Sequence, residues 1–138
     1  IQYAVDVLKV EHLMVVGHYG CGGVQAALKD VRVGLADNWL RHIKDVRDRH
    51  AAFLQQLDEP HRLDALCELN VIEQVMHVAE TTVVQDAWSS GQALTLHGWV
   101  YGLKDGLLQD RHMVVQGTDV LVDTYRAAVN EVVERKRV

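Results

Sequence analysis

The sequence has few of the features that mark disulfide-rich, membrane-spanning or nucleic-acid-binding proteins. Its two cysteines, Cys21 and Cys67, are too few for a disulfide scaffold, so we expect a reduced, cytoplasmic protein. No apolar run approaches the ~20 residues of a membrane span, so we expect no membrane partner, and we expect no signal peptide. With 14 basic and 19 acidic residues the net charge is −5 without a basic block, which argues against nucleic-acid binding through bulk electrostatics.

Proline is also scarce, since Pro60 is the only one, and the chain has no Ser- or Pro-rich linker. These features predict a single domain over residues 1–138, which is long enough to bury a core without disulfide or metal support. Hydrophobic residues make up 49% of the chain, a globular composition that excludes wholesale disorder. Because Ile1 falls inside an apolar pattern of helical spacing, we expect the domain to be N-terminally incomplete.

The apolar pattern alternates between helical and strand-like spacing. The predicted elements, in order, are a helix over 1–9, a strand over 12–16 buried on both faces, a short helix over 24–28, an amphipathic helix over 36–56 broken near His50, a helix with Pro60 in its first turn, a helix capped by Thr81, strands over 93–100 and 107–115, and a closing helix from Thr118. This order predicts an α/β fold with a small, mainly parallel β-sheet flanked by helices.

The first predicted strand runs into a turn that has four glycines in the seven residues Gly17–Gly23. His18 and Cys21 lie three residues apart in this turn, and imidazole nitrogen and thiolate sulfur are the donors that zinc prefers. Gly20, Gly22 and Gly23 permit unusual backbone angles and leave N–H groups open to a small anion. The same residues are also compatible with a strand-end histidine beside a buried thiol. A dinucleotide-binding turn is disfavoured because the glycine spacing does not match G-x-G-x-x-G.

The segment Gly17–Gly23 resembles the zinc-binding turn of the β-class carbonic anhydrases. The resemblance continues in the same order through Asn38–Leu40, Leu66–Val71, Gln85–Trp88 and His97–Gly102, and so covers nearly the whole chain. Several motifs in a fixed order are much more specific than one His-x-x-Cys pair. On these motifs the chain is identified as a member of that family.

The resemblance implies a lyase, carbonate dehydratase, that reversibly hydrates carbon dioxide to bicarbonate and a proton by means of hydroxide bound to Zn²⁺. By motif, His18 and Cys21 are the implied zinc ligands, and Gly20, Gly22 and Gly23 lie near the substrate. Tyr101 matches a tyrosine that helps to hold regulatory bicarbonate in one subtype, although a tyrosine at a subunit contact is an equal alternative. Family members are oligomers built on a dimer, so we expect a dimer or a tetramer.

The sequence departs from the family in one respect. The remaining cysteine ligand and the catalytic Asp–Arg pair belong to a Cys-x-Asp-x-Arg motif, which does not occur in these 138 residues. The other cysteine, Cys67, lies on a predicted helix, where we expect core packing. The chain therefore supplies only part of the site and no catalytic residue, and we expect it to be inactive on its own. The alternatives are a non-catalytic carbonic-anhydrase-like binding module and an anion- or nucleotide-binding α/β domain.

Overall fold

The computed structural model describes residues 1–136, which form three strands and six α-helices. The strands are β1 (His12–His18), β2 (Thr95–Tyr101) and β3 (Leu108–Val115). The α-helices are α1 (Gly22–Leu28), α2 (Asp37–Arg49), α3 (Ala51–Leu54), α4 (Glu59–Ala79), α5 (Thr82–Ser89) and α6 (Thr118–Lys136). The helix predicted over 1–9 is confined to a π-helical turn at Tyr3–Val7, and a 3-10 turn spans Gly34–Ala36.

The helix ends follow from local side-chain chemistry. The Asp58 carboxylate caps α4 by accepting a hydrogen bond from the His61 backbone N–H at 3.1 Å, and Pro60 lies in the first turn as predicted. The predicted break near His50 is confirmed, because α2 ends at Arg49 and α3 begins at Ala51. Thr81 occupies the N-cap position of α5, but its hydroxyl donates to the Val78 carbonyl instead, so the predicted side-chain cap is wrong.

The predicted α/β architecture is confirmed, with a small mixed sheet in the order β1-β2-β3. The parallel pairing of β1 with β2 runs from His12 opposite Thr95 to His18 opposite Tyr101. The pairing of β2 with β3 is antiparallel and has an irregularity at Gly98/Trp99. The carboxyl ends of the two parallel strands therefore meet at one edge of the sheet, beside the glycine-rich turn.

β1 is covered on one face, so the prediction that it is buried on both faces is wrong. Leu13 and Val15 are half-buried against the core, whereas Met14 and Val16 are 54% and 50% exposed. The cause is the placement of the helices, since α4 and α6 pack on the sheet from the side to which Leu13 and Val15 point.

The core lies between α4 and the sheet. Its fully buried side chains include Leu66, Leu69, Ile72 and Val75 of α4, Leu96 of β2 and Met113 of β3. Gly17 allows β1 to approach α4 closely, because a Cβ there would lie 2.5 Å from Cγ2 of Val71. Cys67 is 2% exposed and belongs to this core, as predicted.

Two carboxylates on α4 are buried in this core, Glu68 and Glu73. Glu73 forms an ion pair with Arg49 and accepts a hydrogen bond from the Tyr125 hydroxyl at 2.9 Å, so its charge is compensated.

Within residues 1–136, no helix combines the length and apolar character needed to cross a bilayer.

Candidate metal centre

The glycine-rich turn is held rigidly at the edge of the sheet. Tyr19 and Gly20 form the turn between His18, the last residue of β1, and Cys21, the N-cap residue of α1. Gly20 has a φ of +68°, a left-handed conformation that glycine adopts without steric cost. The backbone N–H of Tyr19 donates to the Tyr101 carbonyl at 3.1 Å, which ties the turn to the end of β2.

His18 is exposed, and its ring has a defined tautomer. Its Nδ1 lies 2.9 Å from the carbonyl oxygen of Tyr19. Because a carbonyl only accepts hydrogen bonds, Nδ1 carries the proton and Nε2 keeps a free lone pair. A backbone carbonyl that orients the second nitrogen is a common feature of metal-binding histidines.

Cys21 is a half-buried free thiol, whereas Cys67 is a buried one. The backbone of Cys21 lies close enough to the Cys67 thiol to lower its pKa, but burial has the larger effect. Burial raises the pKa of Cys67 to about 12, so this second cysteine is a neutral thiol. Cys67 is therefore a packing residue, while Cys21 is the cysteine that lies on the turn itself.

The three glycines predicted near the substrate have different surroundings. A Cβ at Gly23 would lie 3.3 Å from Leu40 and 3.8 Å from the Cys21 sulfur, so a side chain would crowd the thiol. A Cβ at Gly22 or Gly20 would meet no atom within 4 Å, which leaves open space on that side of the turn.

His18 and Cys21 are the two potential metal ligands on the turn. In the part of the chain that the structure describes, no group of three or more His, Cys, Asp or Glu side chains comes together to hold a metal. One imidazole nitrogen and one thiolate sulfur are nevertheless suitable donors for zinc. The pair fits part of a zinc site and requires additional ligands.

Sequence reasoning missed the contact that anchors the turn to the core. The Tyr19 hydroxyl lies 2.7 Å from Oε1 of Glu68 and 3.2 Å from Oε1 of Gln109. Burial, and then the hydrogen bond to Glu68, raise the pKa of Tyr19, so the hydroxyl stays protonated and donates. The only sequence signal was a glutamate at a core-facing position of α4, which does not identify a partner 49 residues away.

The chain matches known proteins over most of its length. The profile of the family described as carbonic anhydrase matches residues 1–108. A carbonic anhydrase from Emericella nidulans is 47% identical over 85% of this chain and 52% of its own length. A carbonic anhydrase from Pseudomonas aeruginosa is 37% identical over 77% of this chain and 49% of its own length.

Solved structures agree with these matches. A Coccomyxa β-carbonic anhydrase in complex with acetazolamide superposes with a TM-score of 0.84 and 35% identity, over 94% of this chain and 60% of that one. The chain belongs to the β-carbonic anhydrase family. A tetrameric β-carbonic anhydrase from Sordaria macrospora superposes with a TM-score of 0.77 and 32% identity, over 83% of this chain and 58% of that one.

The family assignment made from sequence motifs is therefore confirmed. The chain spans about half the length of the curated relatives that it matches. These relatives support the enzyme class and give no support to the expectation that the chain is inactive on its own. The structure places His18, Cys21 and Tyr101 at one edge of the sheet, while their predicted roles in binding remain untested.

Proposed function

We propose that this chain provides the histidine and cysteine ligands of a zinc site that reversibly hydrates carbon dioxide to bicarbonate and a proton. The observation that carries the proposal is the His18 ring, whose Nδ1–H is held by the Tyr19 carbonyl so that Nε2 is available to a metal. Cys21 lies three residues away on the same rigid turn. Membership of the β-carbonic anhydrase family supports the same chemistry.

Each residue of the turn has a separate part in this proposal. When bound, zinc supplies the Lewis acidity that makes water a nucleophile toward carbon dioxide near neutral pH. His18 would bind through Nε2 while its other nitrogen fixes the ring orientation, and Cys21 would bind as a thiolate. The remaining ligands and the Asp–Arg pair would come from groups other than residues 1–138. We propose that residues 1–138 form a single domain of the family fold.

We further propose that the protein self-associates as a dimer or a tetramer. Exposed Met14 and Val16 on the uncovered face of β1 support this, because apolar patches on a sheet face favour association. The Sordaria macrospora relative is tetrameric. Three other expectations stay predictions. They are the bicarbonate-binding role of Tyr101, the absence of nucleic-acid and membrane partners, and a cytoplasmic location.

The test is metal analysis and stopped-flow carbon dioxide hydration on the intact protein. We expect one zinc per chain and rapid hydration in the wild type. His18→Asn and Cys21→Ser should each lower zinc content and hydration together. His61→Asn is the matched control, because this exposed histidine lies on α4 and pairs with Asp58.

Two outcomes would contradict the proposal. A wild-type protein that binds no zinc and hydrates no carbon dioxide would favour the alternative of a non-catalytic binding module. A His18→Asn variant that keeps its zinc and its activity would show that this histidine is not a ligand.

A further inference from the structure

Three cationic side chains surround the carboxylate of Glu68, which is buried. Arg135 Nη2 lies 2.5 Å from Oε2, Arg111 Nη1 lies 3.3 Å from Oε2 and Lys136 Nζ lies 3.5 Å from Oε1. Glu68 is fully buried, and the Arg111 and Lys136 side chains are only 8% and 13% exposed. Three positive charges on one negative charge leave an excess of two, which water screens weakly at Arg111 and Lys136 and more strongly at Arg135, whose side chain is 37% exposed.

Arg111 shows that this cluster is short of acceptors. Its Nη2 donates to Oε1 of Gln109 at 3.2 Å, but Nε and Nη1 form no hydrogen bond among residues 1–136, and the contact of Nη1 with Glu68 at 3.3 Å is an ion pair only. Buried guanidinium N–H groups are normally satisfied, so a missing acceptor needs an explanation. An additional anion near the cluster would lower the energy of this excess positive charge.

A pocket of about 520 Å³ opens directly beside the cluster. Arg135 and Lys136 line it from the end of α6, and Lys104 lines it from the loop that joins β2 to β3. Asp64 and Asp105 also line the pocket, but neither forms an ion pair with these cations within the described residues. The cationic wall is therefore available to an external anion.

The pocket also has apolar lining residues. These are Pro60 and Leu63 of α4 and Leu103 of the loop. The volume greatly exceeds that of a bare inorganic anion, and these apolar residues favour a ligand that has a nonpolar part. Tyr19 and Gly20 line the pocket, whereas the candidate zinc ligands His18 and Cys21 do not.

We propose that this pocket binds a small organic oxyanion, a phosphate or carboxylate group carried on an apolar body. Lys104, Arg135 and Lys136 hold the oxyanion, and Leu63 and Leu103 contact the apolar body. The pocket is a binding site separate from the metal centre.

The test is calorimetric titration of the intact protein with phenyl phosphate, benzoate, inorganic phosphate and uncharged benzyl alcohol at constant ionic strength. We expect saturable binding of phenyl phosphate or benzoate, with the tighter of the two identifying the preferred head group. Inorganic phosphate should bind more weakly, and benzyl alcohol should give no saturable heat. His18→Asn should bind phenyl phosphate like the wild type, because the pocket does not involve the metal ligands.

Three variants locate the site. Arg135→Gln and Lys104→Gln should each weaken binding about tenfold, as expected for the loss of a charge-assisted hydrogen bond. Lys104 makes no ion pair to Glu68, so its replacement leaves the buried cluster intact even if Arg135→Gln destabilises the fold. Arg126→Gln is the control, because its side chain on α6 is exposed and forms an ion pair with Asp123 at 4.0 Å.

The proposal fails if neither organic anion binds saturably to the wild type, or if Lys104→Gln binds with unchanged affinity. An equal loss in Arg126→Gln would show nonspecific attraction and would also overturn it. Abolition of binding by His18→Asn would assign the ligand to the metal centre instead of the pocket.

Discussion

Glu68→Gln removes the one negative charge that three cationic side chains share, while it keeps the size of the side chain. Breaking a buried ion pair by removing one partner costs ~3–5 kcal/mol, because the remaining charge is left uncompensated. Arg135 is 37% exposed and water screens its charge, so we expect a value at the low end of that range, about 3 kcal/mol. With an m-value of ~2 kcal/mol/M, this loss lowers the urea midpoint by roughly 1.5 M.

The assay is urea unfolding of the intact protein at a fixed protein concentration, with Glu59→Gln as the matched control. Glu59 lies on the same helix and carries the same charge, but its side chain is 67% exposed and pairs with Lys29 at the surface. We expect the control to unfold at the wild-type midpoint. Equal midpoints for Glu68→Gln and Glu59→Gln would refute the reasoning, since a compensating buried charge cannot be removed without effect.

The pH dependence of the same difference gives a second readout. Burial raises the pKa of Glu68, but hydrogen bonds from Arg135 and Tyr19 and the charge of Lys136 outweigh it and hold the pKa below its ordinary value of 4.5. The folded state therefore binds the proton less readily than the unfolded state. The stabilisation by Glu68 is fully present above the unfolded pKa and is lost as pH falls through the lower folded pKa. A difference between wild type and Glu68→Gln that grows on acidification would contradict this sign.

Two further predictions concern Gly17, at the start of the glycine-rich turn, and the buried Cys67. Gly17→Ala should lower the free energy of unfolding by about 1–3 kcal/mol, because its Cβ would lie 2.5 Å from Cγ2 of Val71. Gly22→Ala meets no atom within 4 Å and should leave the urea midpoint unchanged, so equal losses in both variants would rule out the overpacking explanation. Cys67 should resist iodoacetamide in the folded protein at pH 8, because its pKa is about 12 and it is 2% exposed. Peptide mass spectrometry measures this, and rapid labelling of Cys67 without unfolding would contradict the buried, neutral thiol.

Most of the secondary structure could be predicted because its signals are local. Pro60 and the break near His50 are properties of a few neighbouring residues, and the structure has both where the pattern places them. Thr81 is an instructive failure, since its hydroxyl has a choice between two nearby backbone groups and takes the carbonyl of Val78. A capping pattern identifies the position but not which of the competing hydrogen bonds forms.

Burial of β1 was mispredicted for a different reason. An apolar run shows that a strand can be covered, but coverage depends on which helices pack on each side of the sheet. Met14 and Val16 remain exposed because α4 lies on the other face. Only the packing of segments that are distant in sequence determines whether the second face of β1 is covered.

The candidate metal-binding pair can be recognised from the amino-acid sequence alone, because His18 and Cys21 lie three residues apart on one glycine-rich turn and need no distant partner to be recognised. The pocket with cationic lining residues beside that turn could be recognised only in the folded chain. Arg135 is 67 residues from Glu68 along the chain, and nothing local relates the two. Folding brings such charges together because long-range packing of α4, α6 and β3 sets their distances, and electrostatic energy depends on distance in space rather than on separation in sequence.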